Sequence, residues 1–402
     1  MNKQFTFIPG HNQTIIVPSD LTYIPFDNTD LLYMRVQLTP ENYNSFMDRP
    51  NLLRHIRMCH FTGIGASYPR FDPGSWPYRF HSAPEQLLIT NLVNNPEFSD
   101  FGTITDRRVQ ELKIMAEKYE KIHLFYSGGI DSTTILCAML KNWDPQTLSK
   151  LVLVMNQHSI DENPVMHIDY ILGKFDTIAT EDFYSRKHIL TDDTVYTGGT
   201  GANQIFGYDE VPNLDEVFPG KYTKPWKNNI DTIIKYFSIR SGEMGDGMFT
   251  FETIKASLEK HRIEMDTVFD FMSWYSFNWA GVEPVYLLSV YFGHLDAGID
   301  KKRWIRENSF SFFSSEDYQY WYLGTIGTDL RSGTTANMYK YAAKKYIYDF
   351  NHDKEYFVNK LKVPSVTAEL IPEYKFAHKL YAIDTDYNFY YQQSPQTPWP
   401  KR

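Results

Sequence analysis

Apolar and polar positions are organised differently in the two parts of this chain. Over the first hundred residues, short apolar pieces such as Thr14-Ile15-Ile16-Val17 and Leu31-Leu32-Tyr33-Met34-Arg35-Val36 sit between turns. The turns are marked by Pro18, Pro25, Pro40, Pro50, Pro69, Pro73 and Pro77, with Gly63, Gly65 and Gly74 among them. That texture predicts a small mixed module with little helix. From about Asp106, read as a helix N-cap, Val109, Leu112, Ile114, Met115 and Tyr119 recur at helical spacing. The run Ile122-His123-Leu124-Phe125-Tyr126 then predicts a buried strand. Residues 132–143 predict a helix, with Ile135 over Met139 and Leu136 over Leu140. Leu151-Val152-Leu153-Val154-Met155 predicts a second buried strand, 162–172 a helix, and 176–179 and 194–197 further strands. Strands that are apolar throughout and separated by helices predict an α/β fold, a parallel sheet with helices on both faces. Beyond residue 211 the pattern is mostly helical, clearest over 230–240, 251–277 and 335–350, and the tail 387–402 reads as irregular.

Length and composition narrow the classes. At 402 residues the chain exceeds one average domain. Forty basic against forty-nine acidic residues, a formal charge of −9, argue against a broad nucleic-acid footprint. The two cysteines, Cys59 and Cys137, exclude a disulfide framework and a four-cysteine zinc site. The start MNKQFTFIPG has no apolar signal core and no run of ~18 apolar residues follows, so a cytoplasmic protein without a membrane span is expected.

The strongest chemical signal is Ser127-Gly128-Gly129-Ile130-Asp131-Ser132, between a predicted buried strand and an amphipathic helix. Two glycines let the backbone turn sharply and bring amide N–H groups against phosphate oxygens. The helix N-terminus adds partial positive charge, and Ser127, Ser132 and Thr133 carry hydroxyl donors. An acid in an anion site makes sense if a metal accompanies the phosphates, which assigns Mg²⁺ to Asp131. The plain alternative is a Ser/Gly turn with Asp131 as a cap. No GK[ST] follows, so this is not a Walker loop.

The hexapeptide resembles the PP-loop of the N-type ATP pyrophosphatases, which cleave ATP between the α- and β-phosphates. That superfamily includes asparagine synthetases, NAD and GMP synthetases, argininosuccinate synthetase and tRNA-thiolating enzymes. The resemblance implies an adenine nucleotide alpha hydrolase-like fold, with ATP and Mg²⁺ bound at the loop.

A second glycine-rich turn, Gly198-Gly199-Thr200-Gly201-Ala202-Asn203-Gln204-Ile205-Phe206-Gly207-Tyr208, follows the strand at 194–197. It is similar to the SGEGADELFGGY signature of the asparagine synthetase synthetase domain, with Gly199, Gly201, Ala202, Phe206 and Gly207 in register. Thr200 stands where that family has a glutamate credited with acid/base work. Asn203 stands where it has a second metal-binding aspartate, keeping a carbonyl ligand but losing a charge. Asp209 and Glu210 are nearby acids that could substitute. The family further implies an adenine and α-phosphate pocket near Val154, Met155 and Asn156, and Asp161-Glu162 resembles its DE pair. His158 and His167 lack metal-site spacing and read as structural or surface residues.

Residues 331–362 contain seven basic residues (Arg331, Lys340, Lys344, Lys345, Lys354, Lys360, Lys362) and three acidic ones (Asp349, Asp353, Glu355), net +4 in a chain of −9. A solvated helix face is the bland explanation; a departing pyrophosphate needs such cations. Lys340 to Lys344 is similar to the family's KxxxR segment, and Lys360, with Lys362 as a rival, falls where its pyrophosphate-contacting lysine lies. The aromatic stretches 271–279 and 309–321 read mainly as core.

Position two is Asn2, and only about 105 residues precede the synthetase-like part, whereas glutamine-using asparagine synthetases begin with a nucleophilic cysteine and a glutaminase domain. The expectation is therefore two parts, 1–105 of unknown role and 106–402 synthetase-like, with a nucleotide-binding core at 120–210 and a helical part at 211–402. The expected function is an ATP-dependent, AMP-forming ligase that adenylates a small-molecule carboxylate and forms an amide with ammonia or an amine. Catalytic assignments are Lys360, Lys340 and Thr200. Ser127, Gly128, Gly129, Asp131, Ser132, Thr133, Asn156, Gly199, Gly201, Lys344 and Lys362 bind ATP or pyrophosphate, and Asp131 with Asn203 binds Mg²⁺. Ammonia could come from a separate glutaminase subunit. The alternatives are an ATP-pyrophosphatase-type modifier of a nucleobase or other carbonyl oxygen, and a nucleotide-binding homologue that has lost turnover.

Overall fold

The structure, a computed structural model, describes residues 99–180, 191–206, 217–241, 244–261, 263–279, 307–328 and 340–360, with Leu214, Asp215, Trp304 and Leu330. It also gives the backbone of strands β1 (Gln4–Thr6), β2 (Thr14–Ile16) and β3 (Leu31–Val36), and of residues 379–384 and 389–393. Five strands form the sheet that organises the molecule: β4 (Lys121–Phe125), β5 (Leu151–Met155), β6 (Asp176–Ala179), β7 (Thr194–Gly198) and β8 (Ser309–Ser311). They lie in the order β6-β5-β4-β7-β8, every neighbouring pair parallel. All five residues of β5 are buried, and so are the first four of β7. Successive strand side chains point to opposite faces, so both faces are covered there. The expected α/β class with a parallel sheet is what the chain forms.

The order carries a functional consequence. From β4 the chain builds outward through β5 to β6, then returns to add β7 on the other flank of β4. The direction of winding reverses between β4 and β7. Loops at the carboxyl ends of strands diverge at such a reversal and leave a crevice. The Ser127–Ser132 loop and the Gly199–Gly201 turn follow β4 and β7 respectively, so both glycine-rich segments open into it.

Helix boundaries differ from the sequence reading in ways that follow from local hydrogen bonds. Helix α1 runs Phe101–Ala116, capped by Asp100, whose Oδ1 accepts from the Thr103 N–H at 3.0 Å. Asp106 is therefore mid-helix and not a cap; it accepts from Asn142 Nδ2 at 2.8 Å and Tyr346 Oη at 2.5 Å. The expected division at 105/106 thus falls inside a helix. Ile114, placed on the apolar stripe, is 67% exposed. Helix α2 is Ile130–Asn142 and α3 is the short Gln157–Glu162. A single helix over 162–172 does not form, because Pro164 has no N–H; Asn163 caps a new short helix that continues as a π-turn over His167–Ile171. After α4 (Ala202–Phe206) come α5 (Ile230–Ser241), α6 (Met244–His261) and α7 (Val268–Trp279). The expected helix 251–277 is interrupted where Asp266 O accepts from Trp226 N and Thr267 Oγ1 caps Asp270 N. Helices α8 (Glu316–Gly324), α9 (Tyr341–Asn351) and α10 (Lys354–Asn359) follow.

Strand β3 pairs antiparallel with β9 (Lys379–Asp384), which pairs with β10 (Phe389–Gln393), so the tail is not wholly irregular. This sheet joins a strand of the first hundred residues to strands near the C-terminus, an arrangement that the division into 1–105 and 106–402 does not anticipate. The aromatic stretches are core: Phe271, Trp274, Tyr275, Phe277, Phe312, Phe313, Tyr318 and Trp321 are all buried. Among the described residues no helix is long and apolar enough to cross a membrane.

Candidate functional site

The first loop turns between β4 and α2 on Gly128, whose φ is +71°, the left-handed region that favours glycine. A β-carbon there would lie 2.2 Å from the Ser159 carbonyl oxygen and 2.8 Å from Glu162 Cβ. The loop is thus seated directly on α3. Its hydroxyls tie it internally: Ser132 Oγ accepts from the Ser127 N–H at 3.1 Å and lies 3.1 Å from Ser127 Oγ. Ser127 Oγ also accepts from the Gly129 N–H at 3.3 Å. Thr133 Oγ1 donates to Gly128 O at 3.3 Å, and Tyr356 Oη donates to the same carbonyl at 3.0 Å. Gly129 occupies the N-cap of α2 and supplies no side chain to cap it. A helix N-terminus without a side-chain cap presents its first amides and its positive pole to an anion.

The second turn is pressed against the first. A β-carbon on Gly199 would sit 2.7 Å from Asp131 Cβ and 3.1 Å from the Ser132 nitrogen. Gly201 takes φ +93°, and Asn203 enters on α4. Between the turns stands Lys340, at the N-cap of α9. Its Nζ donates to Asp131 Oδ1 and Oδ2, both at 2.6 Å, and to Asn203 Oδ1 at 3.3 Å. The lysine side chain is 1% exposed and the aspartate 21%. Residues 131, 203 and 340, spread over 209 positions of the sequence, meet at one charge cluster.

Two further lysines line these turns, Lys344 near Lys340 and Lys360 against Glu162 of α3. Lys344, one turn along α9, is fully buried. Its ammonium is pushed down to about 8 by burial, with the positive charge of Lys340 adding to the effect. Lys360, at the C-cap of α10, pairs with Glu162. Burial lowers Lys360 as well to about 8. Glu162 also lies 3.5 Å from His158 Nε2 through its other oxygen. Glu162 and Tyr356 are the site residues that the sequence left unassigned. Glu162 was visible only as half of an acidic pair, and nothing in the spacing of Tyr356 marks it.

The remaining expected residues are placed as follows. Asn156 caps α3, its Oδ1 accepting from the Ser159 N–H at 3.1 Å. Val154 and Met155 are buried in β5. Thr200 is half-buried in the second turn. Lys362, Gly207, Tyr208, Asp209 and Glu210 lie outside the described residues, as does Cys59. Cys137 is fully buried and its thiol is held well above the usual range, so it is no nucleophile.

Asp131 and Asn203 fit a divalent cation by donor chemistry: three hard oxygens converge on one positive charge. Among the described residues no group of three or more His, Cys, Asp or Glu could hold a metal unaided. Mg²⁺ commonly takes one or two protein ligands and completes its shell from phosphates and water, which suits this pair. Compared with known proteins, the chain matches no protein-family model, and no curated protein matches it.

Proposed function

We propose that the chain is an ATP-dependent, AMP-forming synthetase of the N-type ATP pyrophosphatase kind, with an adenine nucleotide alpha hydrolase-like fold, that adenylates a small-molecule carboxylate and converts it to an amide with ammonia or an amine. The observation that carries this reading is the interlocked pair of glycine turns at the β4/β7 reversal, with Lys340 between them. A single Ser/Gly turn would be unremarkable; two turns in contact, with an uncapped helix N-terminus and three partly or fully buried lysines nearby, form a site for a polyanion.

In this reading the amides at the start of α2, with Ser127 and Ser132, bind the phosphates of ATP. Asp131 and Asn203 are the residues that would hold Mg²⁺, which when bound neutralises phosphate charge. A carboxylate oxygen of the substrate attacks the α-phosphorus, and the bond to the bridging oxygen of pyrophosphate breaks in line. Lys340, Lys344 and Lys360 stabilise the negative charge that collects on the departing pyrophosphate. The amine then adds to the acyl carbon and AMP leaves with the electron pair of the acyl–oxygen bond. The amine must shed a proton. Thr200 cannot accept one at neutral pH, so that base is a second amine molecule, the leaving phosphate, or an acid outside the described residues. Positioning and electrostatics supply most of the rate in such transfers, so the adenylation half does not depend on Thr200.

Pyrophosphate–ATP exchange tests this directly. Exchange is expected with some members of a carboxylate pool and is expected to vanish in Asp131→Ala. Exchange dependent only on a tRNA or nucleobase would replace amide formation with nucleobase modification. ATP binding without exchange from any pool would identify a binder that has lost turnover.

Affinity should also carry a pH signature. Lys344 and Lys360 are charged below about pH 8 and neutral above it. Polyphosphate affinity is therefore expected to fall as pH rises through about 8, well short of the ~10.4 at which an ordinary lysine discharges. Isothermal titration with ATP between pH 6.5 and 9.5 reads this out. A flat profile to pH 9.5 would remove both lysines from the phosphate site.

A further inference from the structure

We infer that Lys340 is a resident cation that keeps free divalent metal off Asp131 until a polyphosphate draws the ammonium away, so that metal enters this site only together with nucleotide. The proposal rests on the reading of the crevice as a phosphate site, and its first arm can be measured without nucleotide.

Both oxygens of Asp131 face the Lys340 ammonium at 2.6 Å, and the Asn203 carbonyl oxygen faces it at 3.3 Å. The oxygens that suit a metal are thus the same three that hold the lysine. The place is tightly enclosed. Gly199 stands where any β-carbon would collide with Asp131 Cβ, so the second turn packs directly against the base of this side chain. The Lys340 backbone is anchored as well, because its carbonyl accepts from Lys344 N at 3.0 Å to begin α9. With that backbone fixed, the flexible four-carbon stem is what lets the ammonium move.

A bare divalent ion arriving at Asp131 would have to displace an ammonium that is 1% exposed. The displaced charge would remain beside the metal and beside Lys344, whose own charge Lys340 already disfavours. An incoming polyphosphate changes that balance. It gives the ammonium new oxygen partners at the uncapped start of α2, one helical turn or less from Asp131, and frees the carboxylate for the metal that the phosphates bring. Metal and nucleotide binding are then positively coupled, each strengthening the other by the same factor.

Mn²⁺ titration followed by electron paramagnetic resonance of the free ion tests the coupling. Without nucleotide, the wild-type chain is expected to take up no Mn²⁺ in the range below about 1 mM typical of one carboxylate and its neighbours. Lys340→Met is expected to bind one Mn²⁺ per chain at least tenfold more tightly, Lys340→Arg to remain blocked because the charge is kept, and Lys340→Met combined with Asp131→Asn to lose the gained site. With ATP present, wild-type Mn²⁺ uptake is expected to appear. Nucleotide-free wild type that binds Mn²⁺ as tightly as Lys340→Met overturns the proposal, as does Lys340→Met without any gain while circular dichroism shows it folded. Should Lys340→Met not fold, the wild-type titrations with and without ATP decide alone: equal Mn²⁺ uptake in the two overturns the coupling. Absence of ATP binding under every metal condition would instead defeat the synthetase reading, leaving the nucleotide-free comparison of wild type and variants to decide the blocking.

Discussion

Gly128→Ala is expected to lower the melting temperature by roughly 2–6 °C and to weaken ATP binding by at least tenfold. Two costs add. At φ +71° an L-residue loses about 1–2 kcal/mol to contact between its β-carbon and its own backbone. The same β-carbon would meet the Ser159 carbonyl oxygen at 2.2 Å and Glu162 Cβ at 2.8 Å, a collision with the backbone of α3 that cannot be relieved by a rotamer change. Forcing an extra carbon into such packing costs about 1–3 kcal/mol. With about 2.1 cal/mol/K of unfolding entropy per residue, each kcal/mol moves the melting temperature of a 402-residue chain by roughly 1 °C.

Gly173→Ala supplies the control. Its φ is +70°, but no atom lies within 4 Å of the added carbon, so it carries the same conformational cost alone, about 1–2 kcal/mol. The difference between the two melts isolates the collision. Displacement of the loop also moves the amides at the start of α2, so nucleotide binding falls only in Gly128→Ala. Thermal melts by circular dichroism and an ATP titration check both parts. If Gly128→Ala melts and binds as Gly173→Ala does, the loop is not held against α3 as described.

How much of this could be read beforehand depends on whether the signal was local. The β4–α2 loop was legible because its neighbours in space are its neighbours in sequence: an apolar strand, two glycines, a helix. The parallel sheet followed from runs such as Leu151-Val152-Leu153-Val154-Met155, buried at all five positions. The strand order was not legible. Nothing in the spacing says that β7 returns to the far side of β4, yet that return brings Gly199 against Asp131. The helix at 162–172 is broken by one residue, Pro164, and Asp106 reads as a cap because Asp100, the cap that forms, lies in the stretch whose texture predicts a mixed module with little helix. Lys340 was expected at a pyrophosphate; its pairing with Asp131 and Asn203 is a contact across 209 and 137 positions and left no trace in composition or period. Glu162 and Tyr356 were missed for the same reason. Their partners, Lys360 and the Gly128 carbonyl, are set by tertiary packing.

The Asp131–Lys340 pair should show an asymmetric energetic signature. Asp131→Asn leaves an ammonium that is 1% exposed facing a neutral amide. Breaking a buried ion pair by removing one partner costs about 3–5 kcal/mol, which corresponds to a drop of roughly 3–6 °C in melting temperature. Lys340→Met leaves the other charge, but Asp131 is 21% exposed and sits in the first turn of α2, where water and the helix pole both favour a carboxylate. Its loss is expected to be about 1–2 kcal/mol. The double variant Asp131→Asn/Lys340→Met removes both charges of this pair, so it is expected to melt closer to wild type than Asp131→Asn does. The cycle of four proteins then yields a coupling of about 2 kcal/mol or more, read by denaturant or thermal unfolding at fixed pH and salt. Additive losses, with the double variant less stable than either single one, would mean that the two side chains do not share a charge-balanced site. Stability and binding part company here: the double variant should recover its fold and still fail to bind ATP with metal, because the carboxylate and the lysine that the phosphates require are both gone.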